Sequence, residues 1–264
     1  MKKIILIIIL AVFVSSCNEY QKALKSDDTA VKLQAGTNLY EKGKYFKAIT
    51  LFEQISPAYK GKPQAENLFY MHAQSYYKNK QYSLSAYHFE SFVSSYPKSQ
   101  NVEEAAFLSA KSYSMLSPVY SLDQTDTDKA IEKLQYFLDT YPNSKYFADA
   151  NSIVKAMKEK LEKKYYENAK LFNSIEDHKA AIIALDNFIS DFPGTTYKED
   201  ALYYKFDSAY KLAINSVQEK MEARLITAKT SYSSLIKFKG DTKYKEKAND
   251  MLVIIDKELQ QFTK

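Results

Sequence analysis

Apolar residues recur at helical spacing along most of the chain, with polar residues between them. Intervals of three and four residues are typical of helices that bury one face. A small residue, a large apolar residue four positions later and another three positions after that occur at Ala48, Phe52 and Ile55, at Ala130, Leu134 and Phe137, at Ala181, Leu185 and Phe188, and at Ala228, Tyr232 and Leu235. A further copy has Ser85, Phe89 and Phe92. The pattern predicts an all-α protein built from repeats.

The copies also share a common ending. An aromatic residue, Pro, any residue, and Ser or Thr follow in Tyr96-Pro97-Lys98-Ser99, Tyr141-Pro142-Asn143-Ser144 and Phe192-Pro193-Gly194-Thr195, and Lys239-Gly240-Asp241-Thr242 is a degenerate copy. Proline cannot continue a helix, because it lacks the amide hydrogen that the preceding turn needs. Ser or Thr can then cap the helix that follows. Each ending therefore predicts one helix end and one helix start.

Together these features resemble the tetratricopeptide repeat, which places small and large residues at these positions and Pro at the end. The first copy also keeps Gly36, Gly43 and Tyr45 at the expected offsets, and the second keeps Ala73, Tyr76 and Tyr82. The resemblance implies a helical-repeat solenoid of about five helix pairs plus a C-terminal helix. The predicted repeats are 29–63, 64–98, 102–143, 162–194 and 200–241, with insertions between the helices of the third and fifth. Ser144–Phe172 is one long helix or two, and Lys243–Phe262 is a terminal helix.

The first residues have the pattern of an export signal. Met1-Lys2-Lys3 is followed by the apolar run Ile4–Val14, whose helix would span roughly 16 Å against about 30 Å for a bilayer core. Val14-Ser15-Ser16-Cys17 resembles a bacterial lipobox, which implies cleavage before Cys17 and covalent N-acyl and S-diacylglycerol lipid on that residue. The alternative is an ordinary secretory peptide with an incidental Cys. We predict a signal peptide at 1–16 and a polar, lipidated tether at 17–28.

Composition narrows the class of protein further. Only 5 Gly and 6 Pro are present, which disfavours sandwiches, barrels and Gly-rich phosphate loops. With 23 Tyr and 15 Phe, the chain can bury a substantial core and is not disordered. Its formal charge is +5, and Arg224 is its only arginine. Because lysine cannot make arginine's planar two-point contacts, we predict no nucleic-acid partner.

Candidate catalytic chemistry is sparse. The chain has no Walker loop, GxGxxG, GxSxG or HExxH motif, so we predict that it is not an enzyme. His72, His88 and His178 stand apart from acidic or Cys partners at ligand spacing, which favours packing roles. Asp123–Asp128 lacks the central Gly and terminal Glu of an EF-hand loop. We therefore predict no metal or cofactor besides the lipid, and an acidic loop whose Asp128 caps a helix beginning near Lys129.

The inner face of the first helices is the remaining candidate for function. Solenoids of this kind bind extended peptides or helices there. Tyrosine offers apolar area and a hydroxyl at low entropic cost. The alternative is that several of these tyrosines pack between helices. The repeat register predicts a peptide-binding groove of Leu33, Thr37, Tyr40, Tyr70, Gln74, Tyr77, Phe107, Lys111 and Met115.

Three stretches are more specific than the generic repeat: Tyr76-Tyr77-Lys78-Asn79, the acidic segment 123–130, and Tyr141–Ala150. With the lipobox, they resemble the BamD (ComL) family of outer-membrane β-barrel assembly lipoproteins. The resemblance implies a non-enzymatic scaffold, anchored by lipid to the outer membrane and facing the periplasm. Residues 29–143 would receive unfolded barrel precursors. Residues 144–264 would dock the periplasmic POTRA domains of BamA, and other Bam lipoproteins would join.

Two other classes of protein remain open. One is another periplasmic repeat adaptor, such as the coordinator of the Tol–Pal system, which generally has a non-acylated signal peptide and an N-terminal coiled coil. The other is a ligand-binding outer-membrane lipoprotein of the SusD-like type. Those proteins are longer and use Trp-rich sites, whereas this chain has no Trp.

Overall fold

The computed structural model describes residues 19–262, and all regular structure in that range is helical. None of these helices combines the length and the apolar character that crossing a membrane requires. The predicted signal peptide and Cys17 lie outside the described residues. The helices are α1 (Thr29–Glu41), α2 (Tyr45–Tyr59), α3 (Ala65–Lys78), α4 (Tyr82–Ser95), α5 (Val102–Leu116), α6 (Thr125–Thr140), α7 (Phe147–Ser174), α8 (His178–Asp191), α9 (Lys198–Ile214), α10 (Gln218–Phe238) and α11 (Lys245–Leu259), with a 3₁₀ turn at Gln260–Phe262.

The chain divides into two compact units, and the boundary between them follows Met157. It falls inside α7, which is a single helix, so the structure answers the question of one helix or two that the sequence left open.

In the first unit, each helix from α1 to α6 packs against the next, and α1 contacts α3 as α3 contacts α5. This arrangement of consecutive antiparallel pairs confirms the predicted all-α helical-repeat fold. The predicted small positions hold residues with no exposed surface, because two helices approach there, and the large residues fill the space between pairs. Fully buried members of this pattern are Ala48, Phe52, Ile55, Ser85, Phe89, Ala130 and Leu134.

In the second unit, α8 to α11 pack in sequence, and α9 also contacts α11. Ala181, Leu185, Ala228 and Leu235 are fully buried, as the pattern predicts. The predicted insertion in the fifth repeat is not a loop: α9 ends at Ile214 and α10 begins at Gln218. The extra residues lengthen the two helices instead, because helical hydrogen bonding continues through them.

The junctions between repeats differ in detail from the prediction. Helices α4, α6 and α8 do end just before the Tyr-Pro or Phe-Pro pair. The Ser or Thr that follows is not the N-cap, however, because its hydroxyl accepts from the amide two residues on and the helix starts one residue later. These bonds are Ser99 from Asn101 (3.0 Å), Ser144 from Tyr146 (3.0 Å), Thr195 from Tyr197 (3.2 Å) and Thr242 from Tyr244 (3.3 Å). The hydroxyl closes a turn ahead of the helix.

The predicted tether contains structure. Residues 19–25 are helical, and Ala23 is only 2% exposed. Ala23 belongs to the core that Leu39 and Phe52 form, and Tyr20 packs against it. The part of the tether that follows residue 18 is therefore docked on the first repeat.

The acidic loop between α5 and α6 is held by Gln124, which is buried. Its Nε2 lies 2.9 Å from the carbonyl oxygens of Val119 and Leu122, and its Oε1 accepts from the Thr127 hydroxyl at 2.8 Å. Helix α6 consequently begins at Thr125, ahead of the predicted start near Lys129. Asp128 lies in the first turn rather than at the cap.

Candidate peptide-binding groove

The first part of the predicted groove is assembled by α1, α3 and α5. Gln74 Nε2 donates to the Tyr70 hydroxyl at 2.9 Å and approaches Glu104 Oε1 at 3.5 Å. Burial raises the pKa of Tyr70, the hydrogen bond from Gln74 opposes this, and Glu104 and Tyr40 add to the rise. Burial also raises the pKa of Tyr40, with smaller contributions from Tyr45 and Glu104. Three of the predicted residues thus lie around one carboxylate, and the tyrosines stay protonated.

The second part is built on Phe107 of α5. Its ring stacks on Tyr146, with centroids 4.7 Å and planes 8° apart. Lys111 Nζ lies 5.4 Å from the Phe107 centroid, and Lys145 Nζ lies 4.9 Å from the Tyr146 centroid. Burial raises the pKa of Tyr146, Lys145 opposes this, and Glu104 adds to it. One surface therefore carries aromatic rings, a carboxylate and two ammonium groups.

Phe107 is not accessible at the surface of the predicted groove. Its side chain is 3% exposed, because Tyr146 covers one face and Phe137 lies 5.6 Å away. The ring supports the groove from beneath, and Tyr146 presents the accessible aromatic edge in its place. Gln74 is also buried, and its amide orients Tyr70.

The remaining predicted residues lie at the margins. Leu33, like Tyr40, is half-buried against the core of the first repeat, and Thr37 is half-buried on the same helix. Tyr77 sits near the end of α3, with its ring edge-on to Tyr82 at 5.7 Å. Met115 is 49% exposed near the end of α5. The centre of the groove is thus Tyr40, Tyr70, Glu104 and Tyr146.

Sequence reasoning missed Glu104, Lys145 and Tyr146. A signal for the tyrosine was available: a Tyr stands two residues after Ser144, Thr195 and Thr242. No sequence signal pointed to Glu104, because its contacts are with Gln74 of the preceding repeat and Tyr146 of the following one.

The surface has the chemistry of a binding site. Tyrosine hydroxyls and the Glu104 carboxylate can exchange hydrogen bonds with a peptide backbone, and ring faces and lysine stems can cover its side chains. Within residues 19–262, no group of three or more His, Cys, Asp or Glu side chains is placed to hold a metal ion.

Comparison with known proteins places the chain among outer membrane lipoproteins. A family model described as YfiO, outer membrane lipoprotein, matches residues 26–225. The outer membrane protein assembly factor BamD of Rickettsia prowazekii (strain Madrid E) is 24% identical over 185 residues, covering 70% of this chain and 74% of the relative. The protein of the same name from Xylella fastidiosa (strain 9a5c) is 24% identical over 213 residues, covering 75% and 73%.

One solved structure also aligns with the chain. It is a thermophilic TPR protein of Thermus thermophilus, which is 15% identical and covers 86% of this chain and 100% of its own. Its TM-score of 0.32 is too low to say anything about this chain.

Proposed function

This chain belongs to the YfiO family of outer membrane lipoproteins, and we propose that it is an outer membrane protein assembly factor that works as a non-enzymatic scaffold. The family predicted from the sequence is confirmed. The observation that carries the proposal is the match over residues 26–225, which spans α1 to α9 and reaches into α10. The relatives are themselves called outer membrane protein assembly factors.

A lipid on Cys17 would anchor the protein to the outer membrane, facing the periplasm. The lipobox-like Val14-Ser15-Ser16-Cys17 supports this, since a multiply acylated cysteine exceeds the two-signal threshold for stable attachment. Cells labelled with an alkyne-bearing fatty acid should tag the wild-type protein and leave Cys17→Ser untagged. Tagging of both proteins would remove the proposed attachment site.

Unfolded barrel precursors would bind at the groove around Tyr40, Tyr70, Glu104 and Tyr146. Pairs of rings beside hydrogen-bonding groups suit an extended segment with alternating side chains. Tyr70→Ala combined with Tyr77→Ala should weaken binding of a fluorescent peptide from a barrel protein's last strand by about tenfold or more, equivalent to about 1.4 kcal/mol. Tyr136→Ala is the matched control, because Tyr136 is 71% exposed and lies on α6. Unchanged affinity in a folded double variant would refute the groove.

BamA would dock through its POTRA domains on the C-terminal repeats, and other Bam lipoproteins would join. Mild-detergent purification of the tagged lipoprotein from its own membrane, followed by mass spectrometry, tests this. A POTRA-bearing barrel protein in near-equal amount is the expected result. Tol–Pal or cell-wall components in its place would overturn the assembly function and leave the fold unaffected.

A further inference from the structure

A second groove, of about 800 Å³, lies between α2, α3 and α4. It shares no residue with the candidate peptide groove and is independent of the proposed function. Its walls hold His72, Tyr76, Tyr87 and His88. Tyr76 and His88 stack with centroids 4.8 Å and planes 14° apart, and the centroid of His72 lies 4.9 Å from Tyr76 and 4.7 Å from His88. His72 and Tyr76 are buried beneath the surface, whereas His88 is half-buried and Tyr87 is exposed. The accessible aromatic surface of the groove therefore comes from His88 and Tyr87.

His72 holds a hydrogen-bond acceptor without a partner behind this wall. The Ser56 hydroxyl donates to the Phe52 carbonyl at 2.6 Å, so its contact with His72 Nδ1 at 3.4 Å leaves the ring N–H as the donor. His72 is 2% exposed, and its Nε2 has no hydrogen-bond partner among the described residues. Nε2 then carries a free lone pair. Buried polar groups in folded proteins almost always have hydrogen-bond partners. The lone pair on Nε2 is therefore available to accept a hydrogen bond from a donor outside the described residues.

In the next repeat, the residues at the same positions are paired with one another. There the Tyr113 hydroxyl donates to Glu90 at 3.2 Å, and Lys133 Nζ forms an ion pair with the same carboxylate at 2.7 Å. The carboxylate is neutralised by a cation of its own chain.

In the second groove, Tyr76 and Glu53 correspond to Tyr113 and Glu90, and a different residue takes the place of Lys133. The Tyr76 hydroxyl donates to Glu53 at 2.5 Å. His88 stands where Lys133 stands in the next repeat, four residues before the buried Phe of its helix. Burial lowers the pKa of His88, and Glu53 only partly opposes this, so the imidazole is neutral near pH 7. Glu53 has no ion pair within residues 19–262 and is solvent-exposed. The groove therefore offers an accessible negative charge that forms no ion pair in the described part of the chain.

We propose that this groove binds the guanidinium group of an arginine side chain on a partner polypeptide. Guanidinium is a planar cation with five N–H donors and no acceptor, and it stacks on aromatic faces. The exposed Glu53 carboxylate matches the positive charge, and the accessible rings of His88 and Tyr87 match the flat shape. The unpartnered His72 Nε2 lies buried behind these rings. An anionic ligand would meet Glu53, with Lys60 as the one ammonium group among the lining residues. A lysine ammonium would use the charge and can lie over a ring, but it lacks the planar group that stacks flat on one.

The test uses the full-length lipoprotein in mild detergent and isothermal titration with three capped tripeptides, acetyl-Ala-X-Ala-amide. X is arginine, lysine, or citrulline, which has nearly the same shape as arginine without its charge. We expect the arginine peptide to bind at least tenfold more tightly than the citrulline peptide and severalfold more tightly than the lysine peptide. Equal affinity for arginine and citrulline would overturn the site, and preference for lysine would overturn the guanidinium assignment.

Matched variants locate the binding. Glu53→Gln should weaken arginine-peptide binding at least tenfold while keeping an acceptor for Tyr76, whereas Glu90→Gln should leave it unchanged. His88→Lys should abolish binding, because it supplies Glu53 with the ion pair that Glu90 has. Thermal unfolding followed by circular dichroism verifies that each variant is folded. Undiminished binding in folded Glu53→Gln or His88→Lys would refute the proposal.

Discussion

The ring of Tyr244 lies parallel to that of Tyr203, with centroids 3.7 Å and planes 3° apart. Tyr244 directly precedes α11, and Tyr203 lies on α9, the first helix of the repeat before. The same relationship recurs between Tyr197 and Tyr166 and between Tyr146 and Phe107. Each tyrosine that precedes a first helix thus seats that helix on an aromatic ring of the previous repeat.

Removing the Tyr244 ring should loosen the end of the second unit. Its hydroxyl also donates to Asp200 at 2.7 Å, so Tyr244→Phe loses one hydrogen bond and Tyr244→Ala loses the stack as well. We expect a drop in the free energy of unfolding of about 1 kcal/mol for Phe and about 2–3 kcal/mol for Ala. Urea unfolding followed by circular dichroism measures both. Equal losses in the two variants would show that the stack contributes nothing.

A side chain at Gly36 should disrupt the first helix pair. A Cβ there would lie 2.6 Å from Cε1 of Phe52, which is fully buried. Overpacking lowers the free energy of unfolding by about 1–3 kcal/mol, and the better helix propensity of Ala raises it by about 1 kcal/mol. Gly36→Ala should therefore lower the free energy of unfolding by about 1 kcal/mol.

Gly194→Ala is the matched control, because nothing lies within 4 Å of its added Cβ. Adding Phe52→Leu to Gly36→Ala should relieve the clash, so the double variant should lose less than the sum of the two single losses. Additive losses in the double variant would argue against a steric origin.

His72 should make the protein sensitive to mild acid. Burial, and then neighbouring His88, lower the pKa of His72 from 6.5 to about 3. Above pH 6.5 it is largely unprotonated in both the folded and the unfolded state, so it adds nothing to the pH dependence of stability. Below that pH the unfolded state binds a proton that the folded state does not, and stability falls by about 1.4 kcal/mol per pH unit until the folded pKa is reached.

His72→Phe removes this proton and keeps a ring in place. Between pH 7.5 and pH 5, the wild-type free energy of unfolding should fall about 2 kcal/mol further than that of the variant. Guanidinium chloride titrations at the two pH values make the comparison, and all other titrating groups are shared. Parallel declines would exclude His72 as the sensor.

A buried polar network should hold α7 to α9. Asn173 Nδ2 donates to Asp207 at 2.7 Å and to Ser208 at 2.8 Å, and Asp207 also pairs with Lys211 at 2.9 Å. Asn173→Leu deprives a buried carboxylate of one donor and should cost about 1–3 kcal/mol. Because the two side chains act together, Asn173→Leu with Asp207→Leu should cost less than the sum of the single changes. If urea unfolding shows that the losses of the two single variants add up to the loss of the double variant, the network is contradicted.

The repeat fold could be predicted because its determinants are local. Proline at 97, 142 and 193 ends a helix through its own geometry, and small residues such as Ala48 and Ala181 allow close helix approach wherever the repeat occurs. Phe107 could not be assigned correctly, because its exposure depends on Tyr146, which comes from the following repeat. The junction hydroxyls close a turn rather than cap a helix, because two further residues separate each of them from the helix start.

The residues of the candidate peptide groove also divide into those set by local sequence and those set by contacts between repeats. Tyr40 and Tyr70 face it because the helical register projects them there. Glu104 and Lys145 enter it through contacts between repeats, which a single helical wheel does not contain. The second groove could not be predicted from the sequence for a similar reason. His72 and His88 are sixteen positions apart and come into contact only when α3 and α4 pair.

The acidic loop between α5 and α6 contains hydrogen bonds among its own residues. Gln124 bonds to carbonyls within the loop, and the hydroxyls of Ser117 and Thr127 lie 2.5 Å apart at its two ends. A graft of residues 117–127 between the paired helices of another repeat protein would therefore depend on Gln124 more than on any other single side chain of the loop.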